Sequence, residues 1–221
     1  MIQRIHQHLL TFSAITLLAF SPLVATASPQ SEQNTKLLKA TDPFEGLTET
    51  ALDGDVAKVA KAFKAAKAGR SATRALLKAE TAVRFDQLFD ELAAAQGKKD
   101  GVVVALQAAE VYKLLVSSCD ASALAVPMEV SLLDYAGFRT NALLKAAAPD
   151  WPALAATALE ANGNWAKIRD RVTDKNLQAG MDKAQEGLAT AAASRNIALS
   201  QASAKSDLDL VDALEEHFAK Q

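Results

Sequence analysis

Apolar residues recur along this chain at three- and four-residue spacing, the signature of helices that bury one face, and no competing strand pattern appears. Asp42-Pro43 opens a short helix reaching about Leu52, because Asp caps well and Pro suits the first helical turn. Asp53-Gly54-Asp55 breaks it and caps a second helix, Val56–Ala68, closed by Gly69. Ser71 then caps a long helix, Ala72–Gln96, striped by Leu77, Val83, Phe85, Leu88, Phe89 and Leu92. Gly101–Ser118 is apolar on nearly every side. Its Val102-Val103-Val104 run suits a strand, but Ala105, Ala108, Ala109 and the lack of partner strands favour a central helix.

Pro127 opens a helix to about Ala147, and Trp151-Pro152 opens another to about Val172, with Asn162-Gly163-Asn164 inside it. Thr173 or Asp174 caps a final stretch from Lys175 to Lys220. Unbroken, that stretch would measure roughly 70 Å against about 30–38 Å for its predecessors. A break near Ser203–Ser206 is therefore predicted, with Leu208, Val211, Leu214 and Phe218 packing back. Residues 28–41 are polar and aperiodic, the pattern of a flexible leader. The whole predicts an all-α antiparallel helical bundle over 42–221: four main long helices, short N-terminal helices and a folded-back C-terminal helix. No internal repeat is pronounced enough to divide it.

The N-terminal run differs from these. Arg4 precedes a mainly apolar run, Leu9–Phe20, and Val24-Ala25-Thr26-Ala27 fits a cut between Ala27 and Ser28. The segment is shorter than the ~20 residues that span a bilayer, and Ser21-Pro22 ends it. Met1–Ala27 thus reads as a secretory signal. The expectation is a soluble periplasmic protein, or a secreted one, with no transmembrane anchor in the mature chain.

Removing that segment changes the chemistry on offer. It takes away Arg4, His6 and His8, leaving 23 basic and 26 acidic residues, a net charge of −3 and His217 as the one imidazole. A chain with no basic excess is a poor partner for nucleic acid. One His rules out a multi-imidazole zinc or copper site within the chain. Cys119 is the lone cysteine, so neither a covalent c-type haem nor an internal disulfide can form; a small buried hydrophobe is its ordinary role. No nucleophile motif or phosphate-binding loop occurs, and the reading is of a non-catalytic protein for which no cofactor is required.

The informative residues are charges that the helical phase places on apolar faces, where an unpaired charge costs several kcal/mol. Arg84 falls between Leu77 and Leu88, Glu110 among Val103, Leu106 and Leu114, and Arg139 between Leu132 and Leu143. Asp134 lies between Val130 and Phe138, and Arg195 between Leu188 and Leu199. With Tyr112 and Tyr135 at the same level, Arg84, Glu110, Asp134 and Arg139 form a candidate inward cluster. Two roles fit it: a salt-bridge network that fixes helix register, or a pocket for a small ligand or metal ion, with Glu110 and Asp134 as metal ligands. Two further readings stand beside it. Met181 and His217 are the residue types that hold a non-covalent haem between helices. Lys58, Lys61, Lys64 and Lys67 form a basic stripe suited to an envelope protein or a membrane surface.

Overall fold

The computed structural model describes residues 28–221. The reading of 1–27 as a secretory signal lies outside those residues. Nine α-helices and no strand occur among the described residues: α1 Pro29–Lys39, α2 Asp42–Asp53, α3 Val56–Ala75, α4 Ala79–Gly97, α5 Gly101–Val116, α6 Met128–Lys145, α7 Trp151–Ile168, α8 Lys175–Ser194 and α9 Ile197–Ala219. The all-α bundle is as the periodicity predicts. Seven helices, α3 to α9, run to 16 residues or more, rather than four. No helix among the described residues is long and apolar enough to cross a membrane.

Local chemistry sets most of the boundaries. Gly54, at φ +80°, ends α2 in the left-handed conformation, and Asp55 then caps α3 by accepting from the amides of Ala57 and Lys58. Asp100, Asp150 and Asp174 cap α5, α7 and α8 in the same way. The Val-rich Gly101–Val116 segment is helical, with half of its residues buried and only Val103 exposed.

Three boundaries differ from expectation. Gly69 does not stop α3, which continues to Ala75 and leaves Ser71 inside the helix; Arg70 and Arg74 hold the extra turns by ion pairs to Asp86 and Asp90 of α4. The final stretch breaks at Arg195-Asn196, not at Ser203–Ser206. Arg195 adopts a left-handed φ of +53°, and Asn196 caps α9 through the Leu199 amide. Residues 29–39 form a helix rather than a flexible leader. Asn34 pins α1 by a reciprocal pair with Asp120, its Nδ2 donating to the carbonyl at 2.8 Å and its Oδ1 accepting from the amide at 2.7 Å, and Leu37 is buried.

The helices pack as two four-membered rings. α2, α3, α4 and α5 close one ring, and α6, α7, α8 and α9 close the other, consecutive helices joined by short connections and so antiparallel. The rings meet where α5 packs on α6. α6 serves both cores: Leu132, Tyr135, Phe138 and Ala142 join the first, and Val130, Leu133 and Ala136 the second.

The two cores are built differently. The first is anchored by aromatic contacts, Phe44 standing edge-on to Phe85 and Phe89 at 6.4 and 6.2 Å. The second holds Trp165 and Phe218 with no aromatic pair between them, and is otherwise filled by small and aliphatic side chains beside buried polar ones, among them Gln185, Ser200, Ser203 and Asp207. There α9 lies close against its neighbours at two glycines. A Cβ on Gly137 of α6 would meet Leu208 at 2.6 Å, and one on Gly187 of α8 would clash with Ser203 Oγ.

Candidate functional site

The predicted inward cluster divides in two at the α5–α6 seam. On one flank Glu110 of α5 is the hub. Tyr135 donates its hydroxyl to Glu110 Oε1 at 2.8 Å, and Arg139 one turn further along α6 pairs with the same oxygen. Arg139 Nε also donates to Thr157 Oγ1 of α7 at 3.2 Å. Lys113, one turn from Glu110, lies 4.6 Å from the centre of the Tyr135 ring and pairs with Glu160 of α7 at 2.5 Å. Every charge here has an opposite partner. This half is an ion-pair network tying α5, α6 and α7 together.

Asp134 and Tyr112 lie on the other flank. Tyr112 donates to Asp134 Oδ2 at 3.3 Å. Both line a cleft of about 560 Å³ at one end of the seam, where α2 and α9 flank α5 and α6. The remaining ionisable side chains lining it are Asp42 and Glu45 from α2 and Asp212, Glu215 and Glu216 from α9. Among the described residues no basic side chain lines it, although Glu216 pairs with Lys220 at 3.2 Å just outside. Val116, Leu124, Val126 and Met128 supply apolar surface beside Tyr112.

The carboxyls respond to this crowding. Burial raises Asp134 well above the carboxylate range, and Glu45, Glu215 and Asp207 add repulsion. Burial likewise lifts Glu45 to about 7, reinforced by Glu49, Asp42, Glu215 and Asp212. Glu215 is raised by partial desolvation and then by Asp212. Burial, then Asp134, drives the Tyr112 phenol upward. The helix ends distinguish the two walls. Asp42 and Glu45 sit in the first turn of α2, where the helix dipole favours them. Glu215 and Glu216 sit at the close of α9, where it does not.

The other sequence candidates fall elsewhere. Arg84 is not on an inner face; it is exposed on α4 and reaches only Gln87, because the buried stripe there runs through Ala82, Phe85, Leu88, Phe89 and Leu92. Arg195 is exposed at the end of α8, as the chain breaks where a continuous helix would have carried it inward. Met181 is wholly buried in the second core. His217 lies in a shallow cleft with Thr173, Asp174 and Leu177, which Met181 does not line, and its Nε2 accepts from the Thr173 amide at 3.3 Å. Among the described residues, no three His, Cys, Asp or Glu side chains converge as a set that could hold a metal ion. Cys119 is buried, its thiol pushed up to about 11 by desolvation.

Glu45, Asp212 and Glu215 escape a reading of single helices, since each sits on an ordinary amphipathic surface helix. The one signal available is compositional: α2 carries four acids and no base. No family model matches this chain, and no curated protein and no solved structure matches it either.

Proposed function

We propose that this is an exported binding or accessory protein, working in the periplasm or outside the cell, whose cleft at the α5–α6 seam takes up a small organic cation. The observation that carries the reading is the lining of that cleft: carboxyls from α2, α6 and α9 face one space with no basic side chain among them. Burial first, and then repulsion between like charges, raises the proton affinities of Glu45 and Asp134. A cation relieves that repulsion. The acids are spread along the walls instead of converging, which suits an extended amine better than a compact metal ion. Tyr112, Val116 and Met128 offer apolar contact to the hydrocarbon between charged ends, and cation–π attraction at Tyr112 adds to it.

The test is calorimetric titration of 1,4-diaminobutane into the full mature chain at about pH 8, with Mg²⁺ and glutamate as comparisons. Saturable binding of the diamine, weakened about tenfold or more in Asp134→Asn and Glu45→Gln, supports the reading. No diamine binding, or equal binding by the variants, overturns it.

A second reading rests on α3. At about 100° per residue its four lysines fall about 60° apart and cover the half of the helix turned away from Val59, Phe63 and Ala66. α3 contains no acid, and of the four only Lys58 has an ion-pair partner, Asp55 at 3.6 Å, among the described residues. Docking on an anionic envelope surface through this face predicts co-sedimentation with anionic vesicles but not neutral ones. Added salt, or reversal of the four lysine charges, should abolish it.

A further inference from the structure

Asp207 lies inside the second ring, on α9, with no exposed surface. Gln185 of α8, also buried, donates from Nε2 to Asp207 Oδ1 at 2.5 Å. Each partner of that bond keeps one buried oxygen without a donor, Asp207 Oδ2 and Gln185 Oε1. A carboxylate beside an amide leaves both lone-pair sets desolvated and unanswered, which native cores seldom tolerate. A single proton answers both. Placed on Oδ2 it turns that oxygen into a donor, and Gln185 Oε1 is the acceptor the same amide already offers.

We propose that Asp207 is carried in the folded protein as the neutral acid, closing an acid–amide pair of two hydrogen bonds with Gln185, and that its ionisation loosens α9 from α8. Among the described residues no cation stands against Asp207 to hold it charged. On α8, Lys183 and Glu186 open onto an outer groove. On α6 the carboxyl that feels Asp207 is Asp134, an acid that repels it. On α9 itself Lys205 pairs with Asp209 at the surface, at 2.5 Å. Burial accordingly raises Asp207 from 3.8 to about 7.

The close seating of α9 makes the proton consequential. Its contacts at Gly187–Ser203 and Gly137–Leu208 lie within one to two turns of Asp207, so a charge there has little room to draw in water without displacing the helix. A folded-state value above the unfolded one means that the stabilisation is full below about 3.8 and is lost as pH rises through about 7. α9 also carries Asp212 and Glu215, but the proposal stands whether or not the cleft binds a cation.

Asp207→Asn is the discriminating variant. It keeps the side-chain shape, donates from Nδ2 to Gln185 Oε1, accepts from Gln185 Nε2, and does not titrate. Amide hydrogen exchange of the full mature chain is measured at about pH 6 and pH 8.5, corrected for intrinsic rates. In the wild type, protection of α9 should fall about tenfold or more relative to α4, and in Asp207→Asn the fall should be clearly smaller, what remains coming from Glu215 and Asp134. Constant wild-type protection, or an equal fall in the variant, overturns the proposal. If the variant does not fold, carboxyl ¹³C titration of the wild type decides. An Asp207 signal still un-ionised at about pH 6 supports the acid–amide pair, and an ionised one refutes it.

Discussion

Asp134 and Tyr135 are adjacent on α6, yet their polar atoms serve opposite flanks of the α5–α6 seam. Asp134 accepts from Tyr112 in the acidic cleft, and Tyr135 donates to Glu110 in the ion-pair network. Successive helical residues point about 100° apart, so a pair of neighbours on a helix buried all round reports on two separate environments. The two flanks should therefore respond independently to substitution.

Glu110→Gln removes the charge that Arg139 and the Tyr135 hydroxyl share. About a quarter of each ion-pair partner is exposed, so screening reduces the loss. Urea unfolding should show a destabilisation of about 1–2 kcal/mol, while diamine binding in the cleft is unchanged. A parallel loss of binding would contradict the separation of the flanks.

Gly137→Ala gains helix propensity but drives a Cβ into Leu208. Overpacking should prevail, at about 1–3 kcal/mol of lost stability. Combined with Leu208→Ala, the variant should lose less than the two single changes added together, measured by the same unfolding midpoints.

Cation affinity in the cleft should rise with pH. Glu45 is lifted to about 7, and Asp134 and Glu215 are raised with it, so a cation must displace protons below that range and need not above it. Glu45 stabilises the empty fold at low pH and forfeits that contribution as pH rises through about 7, and Asp134 and Glu215, raised in the same direction, also favour the fold at low pH. Thermal melts at about pH 5 and pH 8 should therefore show a larger diamine-induced shift at the higher pH. A larger shift at pH 5 would contradict the assignment.

Cys119 should resist thiol reagents in the folded chain. Its sulfur is buried on α5's exit, and the thiolate that reacts is disfavoured by a value near 11. A disulfide-exchange reagent at about pH 8 should label it only as fast as the protein opens, and at full rate in urea.

The helical class, the caps at Asp55 and Asp174 and the apolar central helix were legible because each depends on residues within a few positions of one another. Asp55 and Asp174 cap where their side chains can reach the following amides. The errors have a common physical source. Gly69 costs a helix only about 1 kcal/mol, and the ion pairs of Arg70 and Arg74 to α4 outweigh it. The break at Arg195 lacks the usual glycine, so only the capping capacity of Asn196 announced it. Glu110, Arg139, Asp134 and the two tyrosines were found because charge on an apolar stripe is visible in one helix. The acidic cleft was not, because it exists only where α2 and α9 come to flank the same seam.

α6 gives side chains to both cores, so the two rings share one packed element. A chain ending before Met128 would leave the first core without Leu132, Tyr135, Phe138 and Ala142, and one beginning there would expose those four residues to water. Fusion, truncation or recombination at the loop before α6 should therefore give insoluble products from either side, which separate expression of the two halves checks.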